Sequence, residues 1–277
     1  MARLPRRPLE PGWVLVDGLP LYHRFCTTAD TDTVPLVHVH GFAISGTYME
    51  PTAALLATDH RTYVPDLLGM GRSMRPPQRL DLPGLATSLV HYLDALGIER
   101  ATFVGKSLGC PIIIEVAAYY RERIDRVVLV SPAGGPNNQP LSRALGQMSL
   151  DVMREPAGMW PIASRDYLRF GVPRSLSLFA AMTRYPTLDR LSDLVMPTLV
   201  IAGTRDPLVR HDRIHVLSRI PHVDAIRVPG AHALNFSRAG PLADLIRTFL
   251  QDGSLRDAAA RHPGVEVLLA ADDPSVT

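Results

Sequence analysis

The stretch "FVGKSLGC", residues 103–110, places a serine between two glycines where two predicted elements meet. The apolar run before the serine is typical of a buried strand, and the run after it is typical of a helix. So tight a turn forces its central residue, Ser107, into a strained backbone conformation, which glycines at 105 and 109 relieve because they lack side chains. The sequence therefore predicts that Ser107 projects from the carboxyl edge of a sheet.

Short apolar runs alternate with helical periodicity on both sides of this motif. The strand candidates are "WVLV", "LPLYHRF", "PLVHVHGF", "TYVPD", "ATFVG", "VVLVSP", "PTLVIAG" and "AIRVPG". The first two flank Asp17-Gly18, which is typical of a tight hairpin. The later runs are mostly continuous in hydrophobicity, as expected for parallel strands covered on both faces, and helices are predicted at 83–96 and 241–250. This alternation predicts a doubly wound, mostly parallel α/β sheet.

One connection is too long for a simple crossover. Roughly 65 residues separate Ser131 from Pro197, whereas a crossover needs about a dozen. Helix-like pieces broken by prolines and glycines fill this gap, so we expect an inserted helical cap at 134–190, between two parts of an α/β core at 1–133 and 191–277. The end of the chain, from residue 261, fits no core element and is expected to be a tail.

Composition limits the classes of partner. The 277 residues are 46% hydrophobic, and 29 basic against 27 acidic residues give a net charge of +2 with no long block of either sign. We therefore expect a small-molecule substrate rather than nucleic acid or a membrane. No segment approaches the apolar length of a membrane helix, and two cysteines are too few for a disulfide scaffold. A cytoplasmic location is expected.

A catalytic serine needs a base, and the base needs an orienting group. Asp206 follows the predicted strand "PTLVIAG", and His232 follows the last predicted strand. Since loops after parallel strands gather at one edge of a sheet, Ser107, Asp206 and His232 can meet there. Asp66 also follows a strand and is a competing acid, although the adjoining glycines at 69 and 71 favour a structural turn.

The turn after "PLVHV" is a candidate for half of an oxyanion site. His40-Gly41 follows a buried strand, so the chain turns sharply and the backbone NH of Phe42 can face the serine, together with that of Leu108. Two such donors would hold the oxyanion of a tetrahedral intermediate. Each typically contributes ~3 kcal/mol to the reduction of the barrier.

Metal and nucleotide motifs are incomplete. His38 and His40 share one strand face, and His211 and His215 have the spacing of a zinc helix, but neither pair has a third ligand in view and the second lacks the metalloprotease glutamate. The segment "LLGMGRS" lacks the Lys-Ser/Thr pair of a phosphate loop. We expect neither a metal nor a cofactor.

Five segments, taken in order, resemble the α/β-hydrolase superfamily across roughly residues 13–250: "HGFAISG", "PDLLGMGRS", "GKSLG", "GTRDPLV" and "PGAHALNF". The resemblance implies the α/β-hydrolase fold with Ser107 as nucleophile, Asp206 as acid and His232 as base. It also implies Phe42 and Leu108 as the oxyanion donors.

The resemblance leaves the reaction open. Esterases, lactonases, carbon-carbon bond hydrolases and cofactor-free perhydrolases share these segments, whereas epoxide hydrolases and haloalkane dehalogenases have an aspartate where this chain has Ser107. Lys106 departs from the His, Asn or Glu more common before the serine. Some hormone receptors share the scaffold, so a non-catalytic ligand-binding protein is a further alternative.

The apolar residues of the predicted cap suggest the substrate. The candidates for the pocket wall are Met148, Met153, Trp160, Phe170 and Phe179. A charged acyl group would be costly to bury there, whereas each buried methylene gains about 0.8 kcal/mol. We expect a serine hydrolase that cleaves a neutral, moderately hydrophobic ester or lactone through an acyl-enzyme. An inward-facing arginine from the cap would instead favour a carboxylate substrate and the carbon-carbon hydrolase alternative. The candidates are Arg143, Arg154, Arg165, Arg169 and Arg174.

Overall fold

The strands of the described chain form a single sheet. The structure, a computed structural model, describes residues 5–27, 33–209, 220 and 222–269. The strands are β1 (Glu10–Val16), β2 (Leu19–Cys26), β3 (Leu36–Val39), β4 (Thr62–Pro65), β5 (Ala101–Lys106), β6 (Ile124–Val130), β7 (Thr198–Gly203), β8 (Val223–Val228) and β9 (Glu266–Leu269). Their order is β1-β2-β4-β3-β5-β6-β7-β8-β9. Strands β3 to β8 pair in parallel, and β1, β2 and β9 pair antiparallel with their neighbours.

Helices cover both faces of this sheet. The described α-helices are α1 (Glu50–Leu56), α2 (Leu82–Ala95), α3 (Gly109–Tyr119), α4 (Leu141–Val152), α5 (Trp160–Phe170), α6 (Val172–Arg184), α7 (Leu234–Ser237), α8 (Ala239–Leu250) and α9 (Leu255–Ala260). In β5, Phe103 belongs to the core beneath α2 and α3, and its neighbour Val104 belongs to the core beneath α1 and α8. Successive strand residues therefore face opposite helical layers. The predicted doubly wound α/β sheet is confirmed.

Local signals fix the ends of several elements. Asp17 and Gly18 both adopt positive φ angles, 53° and 76°, as the tight turn between β1 and β2 requires. The side chain of Asp81 accepts a hydrogen bond from the NH of Gly84 at the start of α2. Gly97, with φ of 65°, follows the end of that helix. Helix α8 begins at Ala239, two residues before the predicted start.

Three helices, α4, α5 and α6, lie between β6 and β7. We call residues 131–197 the insertion. Its end is attached to the core because the buried carboxylate of Glu115 on α3 accepts hydrogen bonds from the Tyr185 hydroxyl, at 2.6 Å, and from the Arg190 guanidinium. The C-terminal part of the insertion is therefore attached to α3, which packs against the sheet.

The expectation that the chain from residue 261 forms a tail outside the core is wrong for residues 266–269. These residues form β9, which pairs antiparallel with β8 at the edge of the sheet, where Arg227 and Glu266 make a cross-strand ion pair. The pairing depends on a neighbouring edge strand, so four residues of "EVLL" gave too short a signal by themselves. Residues 270–277 lie outside the described residues.

No helix of the described ranges has the length and apolar character needed to cross a bilayer.

Candidate active site

The turn between β5 and α3 has the geometry of a strained elbow. Ser107 has a φ of 52°, and its NH donates to the carbonyl of Val130 on the next strand at 3.0 Å. A Cβ atom at Gly105 would lie 2.4 Å from Ile113 Cδ1, and one at Gly109 would lie 2.3 Å from the carbonyl oxygen of Val39. Both glycines are therefore required by close packing as well as by the turn.

Gly109→Ala is expected to lower the free energy of unfolding by at least about 2 kcal/mol, because the clashing atom belongs to the backbone of a central strand. Gly146→Ala on α4 is the matched control. A Cβ there meets nothing within 4 Å, so this change should stabilise the helix by up to ~1 kcal/mol. Chemical denaturation of the two variants measures the difference. Equal midpoints would show that the elbow is not so tightly packed.

The structure brings Ser107, His232 and Asp206 together at the carboxyl edge of the sheet. The Oγ of Ser107 lies 2.9 Å from Nε2 of His232, and Nδ1 of His232 lies 2.7 Å from Oδ2 of Asp206. All three side chains are buried. This chain of contacts favours the tautomer with the proton on Nδ1, which leaves Nε2 free to accept a proton from the serine.

Asp206 is held in its ionised form. Burial alone would raise its pKa, but the His232 ring, the NH of Leu208 and the charge of Lys106 outweigh burial and hold the pKa of Asp206 below its ordinary value. The Leu208 NH donates to Oδ1 at 2.9 Å, so the two carboxylate oxygens have separate partners. An ionised carboxylate can orient the histidine and stabilise its protonated form.

The turn after β3 presents the second predicted oxyanion donor. In the described residues neither the NH of Phe42 nor that of Leu108 donates to a protein acceptor. The turn is fixed by His40, whose Nδ1 lies 2.8 Å from the carbonyl oxygen of Gly41 and whose Nε2 accepts from the NH of Leu67 at 3.0 Å. The His40 ring thus spans two loops at the edge of the sheet.

His38, in β3, and His40, just after it, have different surroundings. His40 has backbone partners on both ring nitrogens, and burial is the main cause of its lowered pKa. His38 is fully buried, its ring nitrogens have no partner among the described atoms, and burial lowers its pKa to about 3. The described ranges bring no three His, Cys, Asp or Glu side chains into a metal-binding arrangement. His211 and His215 lie outside the described residues.

Asp66, the competing acid, has a structural environment. Its Oδ1 accepts from the Arg24 guanidinium at 2.8 Å and from the NH of Gly46 at 2.7 Å, and its Oδ2 accepts from the NH of Arg72 at 2.9 Å. A Cβ atom at Gly71 would lie 2.2 Å from that carboxylate, so the glycine makes room for it. Asp66 organises the loops around β4, and His232 is paired with Asp206 instead.

The insertion contacts the serine and the oxyanion turn. The sulfur of Met182 lies 3.9 Å from Ser107 Oγ. The ring of Phe42 packs against Phe179, with centroids 5.2 Å apart, and against Phe170 at 6.4 Å and Tyr167 at 5.7 Å. An apolar wall from the insertion therefore lies directly beside Ser107.

Two of the five predicted pocket residues do not fit that role. Phe170 and Phe179 are buried in the wall around Phe42, and Met148 is partly buried, with its sulfur 4.0 Å from the Tyr167 hydroxyl. Met153 and Trp160 are instead 73% and 52% exposed, so the prediction that they line the pocket is corrected. They lie where the chain leaves α4 and enters α5, and residue type alone does not reveal which way a side chain faces at such ends.

Three carboxylates of the insertion make contacts that the sequence analysis missed. Asp151 accepts from the NH of His232 at 3.0 Å, and Glu155 accepts from the NH of Ala233 at 2.5 Å. Asp166 accepts from the NH of Ser45, three residues after Phe42, at 2.9 Å. We call Asp151, Glu155 and Asp166 the insertion carboxylates, and all are buried. They join the insertion to the loops that carry the histidine and the oxyanion turn.

Lys106 lies among these acidic groups. It is buried, and its Nζ lies 5.4 Å from the centre of the Tyr48 ring. Burial lowers the pKa of Lys106, while Asp151, Glu155 and Asp206 act in the opposite direction. Lys106 therefore lies where a positive charge on its side chain would offset part of the negative charge of Asp151, Glu155 and Asp206.

Burial raises the pKa of Asp151, and His232 and Lys106 offset only part of this effect. Because its folded-state pKa is above the unfolded value, the free energy of unfolding falls as the pH rises from the ordinary pKa of an aspartate to the raised pKa, and the full loss is present above it. Asp151→Asn keeps an oxygen for the His232 NH and removes the charge. We expect it to raise the unfolding temperature at pH 8 by about 2 °C.

Thermal unfolding across pH checks this expectation. The gain should shrink as the pH falls through the raised pKa, because wild-type Asp151 then takes up a proton. Asp252→Asn is a control for which we expect the opposite change in unfolding temperature. Hydrogen bonds from Arg126 lower the pKa of the exposed Asp252, so its ionised form stabilises the fold. A stability loss in Asp151→Asn that is largest at pH 8 would contradict the assigned cost of ionisation.

Comparisons with known proteins agree with this architecture. The profile of the α/β hydrolase fold family matches residues 34–160. A poly(3-hydroxyalkanoate) depolymerase of Ectopseudomonas oleovorans is 27% identical over 251 residues, which cover 83% of this chain and 88% of the depolymerase. The structure of carboxylesterase CesB from Bacillus subtilis superposes with a TM-score of 0.71 at 22% identity, covering 91% of this chain and 94% of its own.

A second solved structure extends the likeness in fold. The enol-lactonase of Burkholderia xenovorans LB400 superposes with a TM-score of 0.68 at 21% identity, covering 87% of this chain and 100% of its own. The profile match and the superposed structures together assign the α/β-hydrolase fold to this chain.

Proposed function

We propose that the protein is a serine hydrolase that cleaves carboxylic esters or lactones through an acyl-enzyme. The observation that carries this proposal is the continuous path of contacts from Ser107 Oγ through His232 to Asp206, with distances of 2.9 and 2.7 Å. In the proposed first step, Ser107 Oγ attacks the carbonyl carbon and His232 Nε2 takes the serine proton. The NH groups of Phe42 and Leu108 hold the oxyanion.

The second half of the reaction reverses these proton transfers. The tetrahedral intermediate collapses, the bond to the leaving oxygen breaks, and that oxygen takes the proton from His232. A water molecule then attacks the acyl carbon while His232 accepts its proton. Collapse of this second intermediate breaks the bond between the acyl carbon and Ser107 Oγ, which takes the proton back from His232 as the acid is released. Asp206, whose pKa is lowered, supports the positively charged histidine in both halves.

We propose that the insertion acts as a cap, so that the chain comprises core residues 1–133, a cap at 134–190 and core residues 191–277. The apolar wall of Phe42, Phe170, Phe179 and Met182 favours a neutral, moderately hydrophobic group beside the serine. Two cap arginines have other partners, since Arg154 donates to the Arg205 carbonyl and Arg165 pairs with Asp166. The names of the carboxylesterase and the enol-lactonase refer to ester and lactone cleavage, which supports the same substrate class.

A cytoplasmic location is part of the proposal. Cys26 and Cys110 are both buried and form no disulfide, and burial raises the pKa of the Cys110 thiol above its ordinary range. Such cysteines behave as small apolar residues and are typical of reducing compartments.

Covalent labelling combined with a substrate panel tests the proposed function. An organophosphonate probe should add one adduct per chain, located on Ser107 by peptide mass mapping. A panel of neutral esters, lactones and thioesters of increasing acyl length then ranks substrates by kcat/KM. If no adduct forms and no member of the panel turns over, the non-catalytic ligand-binding alternative replaces the enzyme.

A further inference from the structure

A cavity of about 160 Å³ lies on the other side of the apolar wall. It lies between α6 and the segment that runs from the loop after β4 into α2, and it is partly open to solvent. Its apolar lining includes Leu80, Leu85, Phe170 and Leu178. None of Ser107, Asp206 and His232 lines this cavity.

Positive charge is concentrated at this cavity. Arg79 and Arg174 both line it, and neither forms an ion pair with a carboxylate of the described chain. Arg75 is close by, since its guanidinium donates to the carbonyl of Arg169 at 2.6 Å. The one carboxylate in the lining belongs to Asp81, whose Oδ1 accepts from the NH of Gly84 and caps α2. Three cations therefore face one anion that already has a backbone partner.

The crowding of these guanidinium groups has an electrostatic cost. Desolvation and the charges of Arg75 and Arg79 lower the pKa of Arg174. Because Arg174 is only partly buried, solvent screens part of this repulsion. An anion bound at the same place would relieve the remainder and would accept hydrogen bonds from the guanidinium donors.

The cavity is next to the proposed active site without being part of its lining. Phe170 belongs both to the cavity lining and to the wall around Phe42. Ala181, also in the lining, precedes Met182, whose sulfur contacts Ser107. One thin layer of side chains thus separates a ligand in the cavity from the nucleophile.

The dimensions and the charge together define a class of ligand. An apolar cavity of roughly 150 Å³ can hold one benzene ring. Arginine is well suited to planar carboxylates, which it can bind through two parallel hydrogen bonds. We propose that this cavity binds a small amphipathic carboxylate, with the apolar ring or short chain inside and the carboxylate at Arg79 and Arg174. Inorganic anions have no apolar ring or chain to fill the cavity, so we do not expect them to bind tightly.

Calorimetric titration of benzoate into the Ser107→Ala protein tests the proposal, and using this variant separates binding from turnover. Benzoate should bind with one site per chain. Benzamide, which has the same shape without the charge, and acetate, which has the charge without the ring, should each bind at least tenfold more weakly. The Arg79→Gln/Arg174→Gln double variant in the same background should weaken benzoate at least tenfold. Arg143→Gln, at an exposed arginine of α4, should leave it unchanged.

Three results would contradict the proposed binding site. Equal affinity for benzoate and benzamide would mean that the arginines do not take part. Full benzoate affinity in a folded double variant, checked by its unfolding temperature, would place the ligand elsewhere, including beside residue 107. Absence of benzoate binding at its solubility limit would remove the proposal. All of these outcomes leave the proposed serine chemistry untouched, because labelling of wild-type Ser107 is measured separately.

Discussion

Replacement of Ser107 by alanine is expected to lower kcat by a factor on the order of 10⁶, the size of the loss when a serine protease loses its nucleophile. The reason is local, because the only atom removed is the oxygen that lies 2.9 Å from His232. Alanine keeps a small side chain at a φ of 52°, so the elbow should remain folded. Steady-state kinetics on the best ester of the panel measures the loss, and circular dichroism checks the fold.

Ser131 supplies a matched control. It is also buried, follows the neighbouring strand β6 and has a φ of 53°, but its Oγ donates to the carbonyl of His232 rather than meeting the ring. The Ser131→Ala protein should still gain the phosphonate adduct, whereas Ser107→Ala should gain none. An adduct that persists in Ser107→Ala, or that maps to Ser131, would remove Ser107 as the nucleophile.

Asp206→Asn is expected to reduce kcat by about 10⁴-fold, with little change in KM. Asparagine can present an NH to the ring of His232, which favours the tautomer with the proton on Nε2 and so blocks proton transfer from the serine. The change should also destabilise the protein. A lowered folded-state pKa means that ionised Asp206 adds to the free energy of unfolding above the ordinary pKa of an aspartate, and this contribution is lost as the pH falls through the lowered value.

Asp66→Asn tests whether the acid has been assigned correctly. It removes charge from a carboxylate that is paired with Arg24, so we expect a loss of stability from a buried ion pair while the folded enzyme keeps its pattern of labelling. Activity should be compared at a temperature well below both unfolding transitions. Full activity in Asp206→Asn together with loss in Asp66→Asn would transfer the role of acid to Asp66.

The elbow and the mostly parallel α/β sheet could be predicted from the sequence because their signals are local. A glycine pair around Ser107 and continuous apolar strands each report a constraint within a few residues, and the parallel sheet then gathers the following loops at one edge. That is why Asp206 and His232 could be named as partners of Ser107 without knowledge of any distance between them.

The insertion carboxylates could not be found in this way. Asp151, Glu155 and Asp166 meet backbone NH groups, so no residue type on the other side of the contact marks the pairing. The direction of Met153 and Trp160 depends on how helix ends meet, which apolar character does not encode. These features arise from the docking of elements far apart in the chain.

The contacts of Asp151, Glu155 and Asp166 have a consequence for the timing of catalysis. A movement of the insertion away from the sheet would withdraw these acceptors from the NH groups of His232, Ala233 and Ser45. In the proposed mechanism, such a movement would loosen the base and the oxyanion turn together. A hydrolase built in this way would hold its catalytic groups in position only while the insertion is docked on the sheet.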